Sequence, residues 1–226
     1  MTCQTDSPTQ RTRTAGDHLF VVSGCSGSGK STLIAALAQQ GEAVATEPGR
    51  QIVKEQTQLG GDGLPWVNPQ RFIDLCAERA LRDFDRHVHL RRRAFFDRSF
   101  IDVASAVELT GLVAPDSLQL ALQSKRYARL VFISPPWEAL FRPDAERRHG
   151  FSEAVAEYEV LVPTYRRHGY EIVFIPQASV AKRVSFVRSV VSSREPGAAH
   201  SPFALHFPPF VLHPSQESDS PPDSYY

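Results

Sequence analysis

The chain lacks a disulfide framework, a long apolar run and an excess of either charge. Its three cysteines, Cys3, Cys25 and Cys76, are odd in number and far apart, so no set of bridges staples the fold. No apolar run approaches the ~18–20 residues needed to span a bilayer, which predicts a chain without a transmembrane segment. The N-terminal MTCQTDSPTQRTRTAGD has no apolar core of the kind a secretory signal carries. These absences predict an intracellular, cytoplasmic protein. Basic and acidic residues balance at 25 each, so the basic excess usual in nucleic-acid and anionic-membrane binders is missing and no nucleic-acid partner is expected. Lysine is also rare: Lys30, Lys54, Lys125 and Lys182 are four of the 25 basic residues, and the other 21 are arginine. A lysine inside a glycine-rich loop of such a chain is therefore a chemical choice.

Composition divides the 226 residues into three parts. Residues 1–16 are polar and predict an unstructured N-terminal segment. Residues 193–226 hold 7 of the 17 prolines and cannot sustain a helix or strand, which predicts an unstructured tail. Within it, the apolar stretch FALHFPPFVL (203–212) is a candidate segment for docking on the domain or on a partner. Residues 17–192 predict one domain. There, HLFVVS (18–23), AVAT (43–46), RAFFD (93–97), RLVFIS (129–134) and EIVFIP (171–176) read as buried strands of a mainly parallel sheet. The segments between them read as helices. The clearest covers 70–93, where Phe72, Ile73, Cys76, Ala77, Ala80, Leu81, Phe84 and Val88 recur at three- and four-residue spacing, with Arg79, Arg82 and Arg86 on the wetter side. Such alternation predicts an α/β sandwich of three layers with right-handed crossovers.

The strongest motif is Gly24-Cys25-Ser26-Gly27-Ser28-Gly29-Lys30-Ser31, a complete G-x-x-x-x-G-K-[ST]. A strand precedes it and the helix-forming STLIAALAQQ follows. Glycines let the loop wrap closely, so that backbone N–H groups point at phosphate oxygens. The helix N-terminus adds its positive dipole end. Lys30 then reaches the outer phosphates, and Ser31 ligates Mg2+. These residues and the adjoining Thr32 predict binding of a nucleoside triphosphate, ATP or GTP. Cys25 reads as an ordinary loop residue.

The order of motifs is distinctive: GCSGSGKST, EPGR (47–50), FFDRSFID (95–102), ISPPW (133–137), DAERR (144–148) and GYEIVFIP (169–176). In this order the chain resembles the AAA_28-type P-loop ATPase/kinase-like family, itself similar to NadR-type ribosylnicotinamide kinase domains and to nucleoside kinases. The resemblance covers about 18–191. It implies a five-stranded sheet of adenylate-kinase-like order 2-3-1-4-5.

Asp97 ends the strand RAFFD beside the phosphate loop, where a second group organising Mg2+ is expected; the alternative is a turn or a helix cap at Asp97 or Ser99. Arg98 completes an Asp-Arg pair resembling the Asp/Glu-Arg-Ser motif of nucleoside kinases, and could hold the acceptor or a phosphate, or form a plain ion pair. Glu47 is expected at the carboxyl edge of the sheet, after which Pro48 and Gly49 predict a turn. In the kinases that the chain resembles, a glutamate here accepts the proton of the acceptor hydroxyl; a solvated turn glutamate is the alternative. Arg50 could orient that carboxylate or bind an acceptor anion. The resemblance places a lid at the segment with Arg142, Arg147 and Arg148, whose guanidiniums would stabilise charge in phosphoryl transfer; a solvated helix face is the plainer reading.

Other residues are less informative. His87 and His89 point apart on a helix and cannot chelate one metal. Arg91, Arg92 and Arg93 read as cations closing a helix. Trp66 lies in an expected acceptor-side loop, to stack on a ring or simply to pack. The sequence thus predicts ATP- or GTP-dependent phosphoryl transfer to a small, nucleoside-like acceptor. The alternative is a nucleotide-binding regulatory protein with a protein or lipid partner.

Overall fold

The computed structural model describes residues 15–142 and 150–194. Most of the N-terminal segment, the 203–212 stretch, Arg147 and Arg148 lie outside the described residues. Five strands, β1 (Leu19–Gly24), β2 (Ala43–Ala45), β3 (Ala94–Asp97), β4 (Leu130–Ser134) and β5 (Glu171–Phe174), form one parallel sheet of order β2-β3-β1-β4-β5. The expected fold and strand order are therefore both present. Helices α1 (Lys30–Gln39), α2 (Pro48–Leu59), α3 (Pro69–Val88), α4 (Phe100–Thr110), α5 (Asp116–Ser124), α6 (Phe151–Arg167) and α7 (Val180–Ser192) connect and cover the strands. No described helix is long and apolar enough to cross a membrane.

A parallel strand buried on both faces needs apolar residues on both, and β1 supplies them. Leu19 and Val21 join one core with Ile73, Phe84, Phe96 and Phe100, under α3, α4 and α6. Phe20 and Val22 join the other, with Leu33, Leu37, Phe132 and Val187, under α1 and α7. The continuous apolar runs of the strands thus follow from two helical layers competing for one sheet.

Local details depart from the sequence expectation in two places. The turn expected at Pro48 and Gly49 is the start of α2, because proline at the first helical position lacks an N–H that would have no intrahelical partner anyway. Helix α3 ends at Val88, not at 93. Arg91 turns the chain with φ +47°, and the Ala94 N–H then donates to the His18 carbonyl at 3.0 Å to start β3. Arg92 and Arg93 therefore do not close a helix. They reach the turn before β2, Arg92 at the Gly41 carbonyl and Arg93 at the Glu42 carboxylate.

At the carboxyl edge, β1 and β4 approach each other closely. Gly24 has φ +120°, and a Cβ there would lie 2.2 Å from the Ser134 carbonyl oxygen. The Cys25 N–H donates to that same oxygen at 3.0 Å, so the contact cannot simply widen. Gly24→Ala should therefore destabilise the fold by about 3 kcal/mol or more, combining backbone strain with overlap. Urea denaturation checks this, and a variant within ~0.5 kcal/mol of wild type would contradict it.

Candidate functional site

The phosphate loop rises from β1 and closes on α1. Gly27 and Gly29 take φ of +78° and +79°, conformations that only glycine adopts without strain. Gly29 is the residue before α1, and the Ser28 hydroxyl donates to the Cys25 carbonyl at 2.7 Å. The buried Cys25 thiol faces the Ala154 carbonyl of α6 at 3.4 Å. Lys30 is buried, its Nζ donating to the carbonyls of Gly24 (3.1 Å) and Cys25 (2.7 Å). Burial, assisted by the Arg98 charge and opposed by Glu47, Asp97 and Asp102, lowers its pKa to about 8.

Ser31 and Asp97 meet across α1 and β3. The Ser31 hydroxyl donates to Asp97 Oδ2 at 2.8 Å. Asp97 Oδ1 is buried and has no hydrogen-bond partner among the described residues. Burial raises this carboxyl to about 6, assisted by the nearby Glu47 charge and opposed by Lys30. A hydroxyl, a carboxylate and an unsatisfied oxygen at a phosphate loop fit a hard divalent cation, which commonly takes one or two protein oxygens and completes its shell with phosphate and water. Ser31 and Asp97 are the residues that could hold it.

Glu47 leaves the end of β2 and is held from two sides. Arg98 Nε donates to its Oε1 and Arg50 Nε to its Oε2, each at 3.1 Å. Arg98 has φ +69°, uncommon for a residue with a side chain, and this conformation follows the hydrogen bond from its N–H to the Val22 carbonyl. Burial opposes its charge, but Glu47 and Asp102 overcome the penalty and hold the guanidinium protonated beyond the ordinary arginine range. Two cavities meet here. One, of about 310 Å3, runs along the loop past Gly27, Lys30, Ser31, Thr32 and Arg142. The other, of about 330 Å3, lies between α2, α3, α4 and α6. Ser26, Glu47 and Arg50 line both.

Most of the residues singled out in the sequence therefore converge. Trp66 is not among the residues that line either cavity, although its neighbour Pro65 lines the second. Asp102, Tyr165 and Arg183 were not anticipated. Asp102 is buried and accepts from the Ser23 hydroxyl, the Ser99 N–H (2.8 Å), the Tyr165 hydroxyl (2.6 Å) and Arg98 Nη1 (3.3 Å). The spacing Ser99-x-x-Asp102 was the available signal, since it is a capping box, and it does start α4. Arg183 had no such signal. It comes from α7, lies 5.7 Å over the Trp137 ring and donates to the Gly29 carbonyl at 3.1 Å, bracing the loop from behind.

A parallel sheet with a phosphate loop at its carboxyl edge, and a second cavity beside it, defines a P-loop protein with a kinase-like fold. The family of AAA domains designated AAA_28 matches residues 19–183, and the chain belongs to that family. No curated protein matches the chain in sequence. Among solved structures, deoxyadenosine kinase from M. mycoides with bound dATP is 14% identical with a TM-score of 0.53, covering 77% of this chain and 100% of that one. The same enzyme with products dCMP and dCDP is 12% identical with a TM-score of 0.54, covering 77% and 99%. The NadR protein in complex with NR is 16% identical with a TM-score of 0.53, covering 77% of this chain and 50% of that one. At these identities the likeness is one of fold.

The raised Asp97 has a measurable consequence. A carboxyl whose pKa rises from 3.8 to about 6 on folding binds more protons in the native state between those values. Its contribution therefore favours the fold below the unfolded pKa and is lost as pH climbs through about 6, a cost of roughly 3 kcal/mol at neutral pH. Asp97→Asn should raise the melting temperature of the ligand-free protein at neutral pH and flatten its pH dependence between 4 and 6. The same variant should lose the Mg2+ dependence of nucleotide binding. An unchanged acid-side profile in calorimetric melting would contradict the assignment.

Proposed function

We propose that the chain transfers the terminal phosphoryl group of ATP or GTP to a hydroxyl of a small, nucleoside-like acceptor. The observation that carries this reading is the shared wall: Glu47, with Ser26 and Arg50, faces both the phosphate-loop cavity and its neighbour. A group in that place can touch the acceptor oxygen and lie beside the phosphate it attacks.

In this reading the loop amides from Cys25 to Ser31, with Thr32, hold the phosphates. The Lys30 ammonium exchanges its loop carbonyls for the outer phosphates, and burial strengthens that attraction. Mg2+, held by Ser31 and Asp97, would draw charge from the transferred group. Glu47 accepts the hydroxyl proton. Guanidinium hydrogen bonds from Arg50 and Arg98, one to each carboxylate oxygen, fix its orientation. Arg98 and Arg50 position Glu47 and face the acceptor. Arg142, at the phosphate cavity, would neutralise charge on the transferred group, a role that the sequence also offers to Arg147 and Arg148.

Lys30→Ala should weaken binding of ATP and GTP far more than binding of the corresponding monophosphates, because the lysine serves the outer phosphates. Titration calorimetry measures this, and unchanged triphosphate affinity would remove the loop from nucleotide binding. Glu47→Gln should leave nucleotide affinity nearly constant while acceptor-dependent turnover falls by about 10²–10⁴-fold, the usual contribution of a positioned general base. The assay is product formation from Mg-ATP and Mg-GTP across a panel of hydroxyl-bearing metabolites. An acceptor-dependent rate that survives Glu47→Gln excludes Glu47 as the base. No acceptor-dependent rate across the panel would favour a nucleotide-controlled binder.

A further inference from the structure

The cavity beside the phosphate loop has two unlike ends. At the inner end three carboxylates, Glu47, Asp102 and Glu157, accompany two guanidiniums, Arg50 and Arg98. Those guanidiniums are already engaged: Arg50 with Glu47, and Arg98 with Glu47 at 3.1 Å and Asp102 at 3.3 Å. A phosphate entering here would have to displace carboxylates from both arginines and then face them across a poorly solvated wall. A neutral hydroxyl meets no such opposition, and it can donate to Glu47 directly.

The outer end is apolar. Its walls include Phe72, Ile73, Val103, Ala106, Leu109 and Leu161. Cys76 adds a thiol that burial pushes up to about 12, so it stays neutral and behaves as an apolar surface. Among the described lining residues there is no asparagine, glutamine or histidine to pair with the edge of a nucleobase; the uncharged polar side chains are Ser26, Ser99, Ser105, Thr110 and Tyr158. The apolar surface also continues outward. Val67, Leu109 and Val113 are 58%, 43% and 72% exposed, beside Pro65 and Leu112 of the wall. A ligand that fills this space gains by burying apolar area, whereas unpaired base-edge groups would lose water without replacement.

We propose that the acceptor is an unphosphorylated alcohol with an apolar body, which enters this cavity hydroxyl first and leaves its apolar portion against α3 and α4. The proposal rests on the reading of this cavity as the acceptor side of a phosphoryl-transfer site, and it changes the expected acceptor from a nucleoside-like molecule to an apolar alcohol. In the transfer, the acceptor oxygen forms the new bond to the terminal phosphorus, the bond to the bridging oxygen breaks, the nucleoside diphosphate leaves, and the hydroxyl proton passes to Glu47.

The test compares four probes by titration calorimetry on the full chain at neutral pH: 2-(2-naphthyl)ethanol, its phosphate monoester, adenosine and AMP. The naphthyl alcohol should bind saturably, adenosine about tenfold more weakly, and both phosphate esters about a hundredfold more weakly than the naphthyl alcohol or worse. Ala106→Asp places a charge in the apolar wall and should abolish binding of the alcohol while Mg-ATP binding is retained. Esters binding as tightly as their alcohols, adenosine binding more tightly than the naphthyl alcohol, binding that persists in Ala106→Asp, or no binding by any probe each overturns the proposal. Incubation with Mg-ATP separates the two readings. If the naphthyl alcohol binds in this pattern but no acceptor of any kind is phosphorylated, the pocket assignment stands and the kinase reading falls.

Discussion

A charge buried without enough donors around it would unfold a domain of this size, and Asp102 is such a charge, made tolerable by its partners. It takes hydrogen bonds from the end of β1 through Ser23, from the start of α4 through Ser99, from α6 through Tyr165 and from Arg98. Each partner belongs to a different part of the site. Ser23 immediately precedes the phosphate loop, Arg98 holds Glu47, and Tyr165 anchors α6. One carboxylate therefore fixes the relative placement of the loop, the acceptor end and α6. Removing it would leave Arg98 buried with less compensation, which is why the network stands or falls together.

The electrostatics of the site follow from that arrangement. Lys30 and Asp97 are both forced away from their ordinary protonation balance by burial, the lysine downward to about 8 and the aspartate upward to about 6. Neither is fully satisfied by the protein alone. Lys30 rests on neutral carbonyls, and one oxygen of Asp97 has no partner among the described residues. Groups in this condition gain most from an incoming opposite charge, because the medium around them screens poorly. In the proposed reading a magnesium-bound triphosphate would supply both signs at once, anionic oxygens for the lysine and a cation for the aspartate. The second cavity differs, since its charges already compensate one another and leave an apolar surface beyond them.

The two-sided core carries this site without taking part in it. Strand β1 packs helices on both faces and ends at Gly24, where the Ser134 carbonyl leaves no room for a side chain. The loop is consequently held at its base by β4, at its back by Arg183 and at its tip by the start of α1. Preorganisation of this kind lets backbone N–H groups face a ligand without first ordering a loop, an entropic saving of about 1–2 kcal/mol per residue.

How much of this was legible depended on the range of the interaction. Gly24 to Ser31 could be read from sequence because the phosphate loop is local: glycines, a lysine and a hydroxyl at fixed spacing, between a strand and a helix. The strands were legible because double burial leaves continuous apolar runs, and only their ends shifted by one or two residues. Glu47 and Asp97 could be assigned to the edge of the sheet because Asp97 ends a strand and Glu47 follows one. Arg50 was legible as a partner of Glu47, three residues away, but the sequence alone could not show that Arg98 closes on the same carboxylate, since that contact joins the end of β2 to the turn after β3. Nor could it reveal Asp102 as a shared acceptor, or Arg183 beneath the loop 154 residues away from Gly29. The overshoot of α3 has the same origin, for the helical pattern continues locally while Ala94 must leave it to pair with β1. Local spacing determined the strands, the helix starts and the phosphate loop; the buried ion network and the two-ended cavity were decided only when distant elements packed, because a charge is compensated by whatever folding brings within hydrogen-bond reach, not by its neighbours in the chain.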